Sequence, residues 1–149
     1  MASLTFDELK TEWAENHESF NESDPGQAVL QTVKSQSYFI NQLSIARYEL
    51  SQMEVQRSIL KHDLIEYYMK RETPEIREKL KKTEGFGLKI LAKDVAGWVD
   101  ADPLMVLTNL RIAKQDEKVE WIKNIIAALK DRNWALKDHI TWQMFVSGK

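Results

Sequence analysis

The sequence predicts an all-α protein: one long helix at about residues 25–71, shorter helices packed along it, and the whole assembling into a homo-oligomer. Three observations carry this. Only five glycines and three prolines occur in 149 residues, too few for the turns of a sheet protein. The stretch from Gln27 to Thr73 contains neither. Within it, apolar residues recur at alternating spacings of three and four, which is the seam of a heptad.

The length fits a single helical domain over 1–149, with an acidic segment at 1–23 and a C-terminal helix at 134–146. With no cysteine, a disulfide scaffold and a cysteine-ligated zinc site are both excluded. No apolar run approaches membrane-spanning length, and Met1-Ala2-Ser3-Leu4-Thr5 lacks the pattern of a secretion signal, so the cytoplasm is the expected compartment and no membrane partner is expected. Charge is uneven: residues 1–30 hold seven acids against one lysine, whereas 70–93 hold eight bases against four acids. That asymmetry suggests a polyanionic partner for the middle of the chain.

Taken in order, Thr5-Phe6-Asp7-Glu8 reads as a capping box opening a short helix to about Glu15. Asn16 to Ser23 is a polar loop. Asp24-Pro25-Gly26-Gln27 caps the long helix, and Thr73-Pro74 stops it, because a residue before proline is pushed out of the helical region. One apolar row runs Leu43, Ala46, Leu50, Met53, Leu60, Leu64, Tyr67, broken only by Arg57. A second row, Tyr38, Ile45, Tyr48, Val55, Ile59, lies on the opposite side, so the rod is expected to be covered on both sides, by other copies of itself along with the C-terminal helices; a central helix buried in a monomeric bundle is the alternative.

Pro74 opens a short helix ending near Glu84, with Gly85 as the residue past its end and Phe86 folding back on Leu80. Glu75–Lys79 and Glu78–Lys82 are favourable pairs one turn apart, leaving Lys70, Arg71, Arg77, Lys81, Lys89 and Lys93 without a near helical partner. Gly85-Phe86-Gly87 reads as a hinge, with base stacking by Phe86 the lesser alternative. Leu88 to Trp98 is another short helix. Asp102-Pro103 opens a helix running to about Arg132, with Leu104, Leu107, Leu110, Trp121, Ile122, Ile125 and Leu129 inward and solvated charge at Lys114 to Lys118. Asn133 closes it, and Trp134 to Val146 forms a last helix with much large apolar surface, the mark of an interface.

Catalytic constellations are missing from the pattern. His17, His62 and His139 lie far apart, and there is no phosphate loop, no H-E-x-x-H and no nucleophile elbow. Capping before Pro103 explains Asp102. An enzyme is not expected, nor any cofactor or metal.

Arg132-Asn133-Trp134-Ala135-Leu136-Lys137, then His139-Ile140, then the ending Phe145-Val146-Ser147-Gly148-Lys149 together resemble the UvsY family, recombination mediators of tailed bacteriophages. The family shows Arg-Gly-Phe-Ala-Ile-Lys, a His-Ile pair and a terminal Phe-x-x-Gly-Lys. Leu60-Lys61 followed by Tyr67-Tyr68 also matches in spacing, as does Val99-Asp100. The likeness covers about 57–149, the long helix more loosely.

The resemblance implies a non-enzymatic protein that binds single-stranded DNA as a ring-like homo-oligomer. It also implies a role in helping a UvsX-like recombinase replace single-stranded-DNA-binding protein, in the host cytoplasm if the chain is phage-encoded. Oligomerisation would fall on Trp134, Leu136, Ile140, Trp142, Met144 and Phe145. The family's Lys-x-Arg pair before Tyr-Tyr survives at most in one base, at Lys61 or His62. DNA contacts would then come from Lys61, His62, Lys70, Arg71, Arg77, Lys81, Lys82, Lys89 and Lys93, with Tyr67, Tyr68 or Phe86 as aromatic faces. A coiled-coil scaffold or adaptor that binds no nucleic acid is the alternative.

Overall fold

The computed structural model describes residues 3–148; Met1, Ala2 and Lys149, the last residue of the terminal Gly-Lys pair, lie outside the described residues. Five α-helices follow one another: α1 (Phe6–Asn16), α2 (Pro25–Tyr68), α3 (Pro74–Lys79), α4 (Val95–Ala101) and α5 (Pro103–Val146), with a 3-10 turn at Ala92–Asp94 ahead of α4. No strand occurs among the described residues.

The chain packs as two compact units, one of residues 1–47 and 117–149 and the other of residues 48–116. In the first, α1 opens on the expected capping box: Thr5 Oγ1 accepts from the Glu8 N–H and Glu8 reaches back to the Thr5 N–H. Its Leu9 is fully buried with Phe39, Ile122 and Leu129. Phe39 meets Trp13 and Trp121 edge-on at 5.8 and 6.2 Å, geometries that favour aromatic pairs. Arg132 fastens the loop after α1. Its Nε donates to Thr32 Oγ1 at 3.0 Å, its Nη1 donates to the His17 and Glu18 carbonyls, and its guanidinium lies 4.7 Å from the Phe20 ring. Burial lowers the Arg132 pKa.

The second unit holds Leu64, Tyr67, Tyr68, Leu80, Val95, Val99 and Met105 as its core. Here α2 ends at Tyr68 rather than near 71. Lys70 takes a left-handed φ of 60°, the Lys70 N–H donates to the Tyr67 carbonyl and the Arg71 N–H to the Glu66 carbonyl, which together form a Schellman turn. The same motif ends α3 at Lys79 rather than near Glu84: Lys81 has φ 56°, with Lys81 N–H to Glu78 and Lys82 N–H to Arg77. Gly85 is thus not the helix-ending residue. A Cβ there would sit 3.0 Å from Glu72 Oε1 and 3.3 Å from Arg77 Nη2, a tight fit that those side-chain ends would have to ease by shifting slightly. Residues 88–91 are not helical, and α4 begins only at Val95.

The largest departure is α5, which runs unbroken through Asn133. Its buried stripe is Met105, Ile112, Gln115, Val119, Ile122, Leu129 and Leu136, with half-buried Thr108, Ile126, Asn133 and Ile140 filling the same three-and-four spacing. Asn133 lies on that stripe, and continuing the helix keeps Leu136 in the core. The stripe also explains two other corrections: Leu107 and Leu110 fall off it and are exposed, whereas Lys118 is buried beside it, its ammonium donating to the Leu4 carbonyl. On α2 the first apolar row is buried or half-buried as expected, including Arg57; of the second, Tyr48, Val55 and Ile59 are exposed.

Candidate nucleic-acid interface

The second unit carries the basic stretch, and its folding decides which cations are free. Thr73 caps α3, accepting from the Ile76 N–H at 3.2 Å, with Pro74 at the first helical position. Three of the predicted cations become structural. Arg71 ion-pairs with Glu66 at 3.1 Å and Arg77 with Glu72 at 3.0 Å. Lys82 lies 3.0 Å from Asp102 and 5.4 Å from the centre of the Tyr67 ring. The helical pairs expected for Lys79 and Lys82 give way to longer-range partners, Lys79 joining Asp63 at 3.7 Å.

Asp102 is the organising acid. Its side chain is fully buried, accepting from Tyr68 Oη at 2.7 Å, Lys82 Nζ at 3.0 Å and the Leu104 N–H at 2.9 Å. Burial alone would raise its pKa, but these three donors outweigh it and hold the carboxyl below the usual range. Burial, then the bond to Asp102, pushes the Tyr68 hydroxyl upward. Capping is therefore one of three roles for Asp102.

The aromatic faces also change. Tyr67 and Tyr68 are buried, and the Tyr67 hydroxyl donates to the Glu84 carbonyl at 3.1 Å. Phe86 is half-buried, edge-on to Tyr68 at 4.8 Å. None of the three offers an open ring.

Five lysines remain: Lys61, Lys70, Lys81, Lys89 and Lys93 are exposed, and among the described residues none makes an ion pair. His62 is exposed beside them, its Nδ1 3.5 Å from Asp63. Lys70 and Lys81 occupy the left-handed positions of the two Schellman turns, so each projects from a chain reversal. Lys61 stands between two shallow depressions, one reaching Arg57 and Asn109, the other reaching Met69 and Arg71. Arg57, read from sequence only as a break in the apolar row, donates to Asn109 at 3.3 Å.

In the first unit, the predicted oligomerisation residues divide. Leu136 is buried and Ile140 half-buried, but Trp134, Trp142, Met144 and Phe145 are 63%, 61%, 54% and 75% exposed. The Trp142 and Phe145 rings stack at 5.8 Å on an otherwise open face. Among the described residues, no cluster of His, Asp or Glu could hold a metal ion, and no helix is long and apolar enough to cross a membrane.

A family model described as "Recombination, repair and ssDNA binding protein UvsY" matches residues 15–149. The chain belongs to the UvsY family. The match reaches further toward the N-terminus than the likeness read from residues 57–149. Two crystal structures of the bacteriophage T4 recombination mediator protein UvsY share the fold. One has a TM-score of 0.79 at 14% identity, covering 97% of this chain and 98% of that one. The other, from a second lattice type, has a TM-score of 0.78 at 15% identity and covers 95% and 99%. A comparison with curated protein sequences gives no match. Membership of the UvsY family places the chain among recombination, repair and single-stranded-DNA-binding proteins.

Proposed function

We propose that the protein is a recombination mediator. It binds single-stranded DNA without sequence preference as a ring-like homo-oligomer and helps load a recombinase in place of single-stranded-DNA-binding protein. The observation that carries this reading is the set of five exposed, unpaired lysines in one unit of a UvsY-family chain. Such lysines meet phosphates and release counterions, which gives affinity without reading bases. His62 and the outer faces of Arg71 and Arg77 add to the same surface, their side chains being 70%, 56% and 42% exposed. Lys82 contributes least, because Asp102 holds it.

Self-association is supported by the exposed apolar end of α5, where Trp134, Trp142, Met144 and Phe145 form a surface that a monomer has no use for. Ile140 borders it, and Leu136 anchors the turn beneath. Copies held together present several lysine sets to one strand, so modest binding per subunit sums to useful affinity.

Titration with an oligonucleotide at two salt concentrations tests the DNA reading: log K should fall linearly with log salt. Mass in solution with and without the oligonucleotide tests the assembly, and recombinase filament growth on a strand coated with single-stranded-DNA-binding protein tests loading. A second reading, a coiled-coil scaffold without nucleic acid, is favoured by the exposed α2 residues Tyr48, Val55 and Ile59. It predicts self-association with no binding even at low salt.

A further inference from the structure

Resting on the DNA reading above, we propose that Trp98 is a stacking platform that takes one nucleobase of the bound strand on its open face. With Tyr67 and Tyr68 buried, Trp98 is the aromatic next to the basic stretch in sequence left substantially open to solvent, at 39% exposure; Tyr48 of the same unit is 66% exposed but lies well before that stretch. It is held from behind. The Phe86 ring lies 5.2 Å away at 67° and the Tyr68 ring 5.8 Å away at 41°. A ring fixed in this way loses little freedom when a ligand stacks on it.

The open side suits a flat, unbulky guest. It is a shallow depression lined by Asp94, Gly97, Trp98 and Ala101. Gly97 and Ala101 leave room beside the indole, and a Cβ added at Gly97 would meet nothing within 4 Å. Cations flank it in sequence: Lys93 directly precedes Asp94, and Lys89 lies on the segment that brings Phe86 against Trp98, both exposed and without an ion pair among the described residues. An aromatic face with lysines close by in sequence suits a single strand, whose bases stack while its phosphates meet the charge. Exposed Leu88 and Leu91 are what an apolar protein partner would use, and Asp94 on the rim offsets part of the Lys89 and Lys93 charge; the five exposed lysines of the unit taken together favour the polyanion.

The test uses the full chain, a short oligothymidylate and a strand of equal length carrying abasic sites. Trp98→Ala should weaken oligothymidylate binding about five-fold or more at every salt concentration, with the salt slope unchanged, because stacking releases no counterion. The double substitution Lys89→Ala with Lys93→Ala should instead flatten the slope. On the abasic strand, Trp98→Ala and the parent should bind alike. Trp98→Phe keeps a stackable ring and the packing on Phe86, so it should retain most of the affinity while losing part of the tryptophan quenching that DNA produces. If Trp98→Ala destabilises the chain, the quenching of Trp98→Phe decides. Quenching equal to the parent's, or affinity unchanged in a folded Trp98→Ala while the lysine variant weakens, would overturn the stacking site and assign this face to a protein partner. Absence of binding by the parent chain at low salt would overturn the DNA reading itself.

Discussion

Replacing Asp102 by alanine removes the acceptor that three donors share, and the structure sets the size of the penalty. The Leu104 N–H loses a cap, worth about 1 kcal/mol. The Tyr68 hydroxyl loses a bond to a charged acceptor, about 1.5–3 kcal/mol. Lys82 loses the counter-charge of a pair whose carboxylate is fully buried, and breaking such a pair costs about 3–5 kcal/mol. These contributions overlap, and Lys82 is itself 24% exposed and can turn to water, so about 3–5 kcal/mol is the expected total for the whole substitution. Urea unfolding followed by far-UV circular dichroism measures it. Asp102→Asn keeps one acceptor oxygen, which can cap Leu104 while its NH2 takes the side facing Tyr68 and Lys82, so it should retain the cap, lose the counter-charge and cost somewhat less than alanine. The sign of the pH dependence is also set. Because the folded carboxyl is held below the usual range, the network's stability is complete above the ordinary carboxylate pKa of about 3.9 and is lost as pH falls through the lower folded value. A loss under about 1 kcal/mol in Asp102→Ala, or a parent chain that gains stability on acidification through that window, would refute the reasoning.

Other consequences are as direct. Lys81→Ala should lower the slope of log K for single-stranded DNA against log salt by about 0.7, one phosphate contact, whereas Lys82→Ala should leave the slope nearly unchanged and cost stability instead. Trp142→Ala or Phe145→Ala should reduce oligomer mass in light scattering without altering helix content, since both side chains are exposed. Lys70→Gly should raise stability by about 1 kcal/mol in urea unfolding, because glycine adopts the left-handed backbone at lower cost, while weakening DNA binding at low salt. Arg132→Ala should cost about 2–4 kcal/mol through three lost hydrogen bonds and a ring contact, and limited proteolysis should then cut the loop at 17–24 faster.

Features that depend on near neighbours in the chain could be read from sequence. The Thr5–Glu8 box, the Asp24 cap and the α2 seam from Ala46 to Tyr67 are written within one or two turns of helix. Misreadings arose where a local preference was not a requirement. Asn133 accepts a helix end, but the stripe through Leu129 and Leu136 is stronger and carries α5 past it. Gly85 has the residue type of a helix end, but Lys81 takes that conformation instead, at a small energetic cost, and Gly85 lies beyond it beside the ends of the Glu72 and Arg77 side chains. For the site, the charge asymmetry located the basic unit, but only contacts far apart in sequence decide which cations stay free. Lys82 meets Asp102 across 20 positions and Tyr68 meets it across 34, and no periodicity reveals such pairings. The open face of Trp98 is likewise invisible to periodicity, since it follows from how Phe86 and Tyr68 pack behind it.

The continuity of α5 past Asn133 turns the direction of its apolar tip into a matter of phase. Leu129 and Leu136 are gripped in the core, and the exposed Trp142–Phe145 face follows on the same rigid spiral with no joint between. One residue inserted after Leu136 would swing that face by about 100° while lengthening the helix by only about 1.5 Å. Seven inserted residues would bring it back to within about 20° of its original heading. The bearing of a neighbouring copy docked on this tip would then be written in a residue count, as the pitch of a screw is written in its thread.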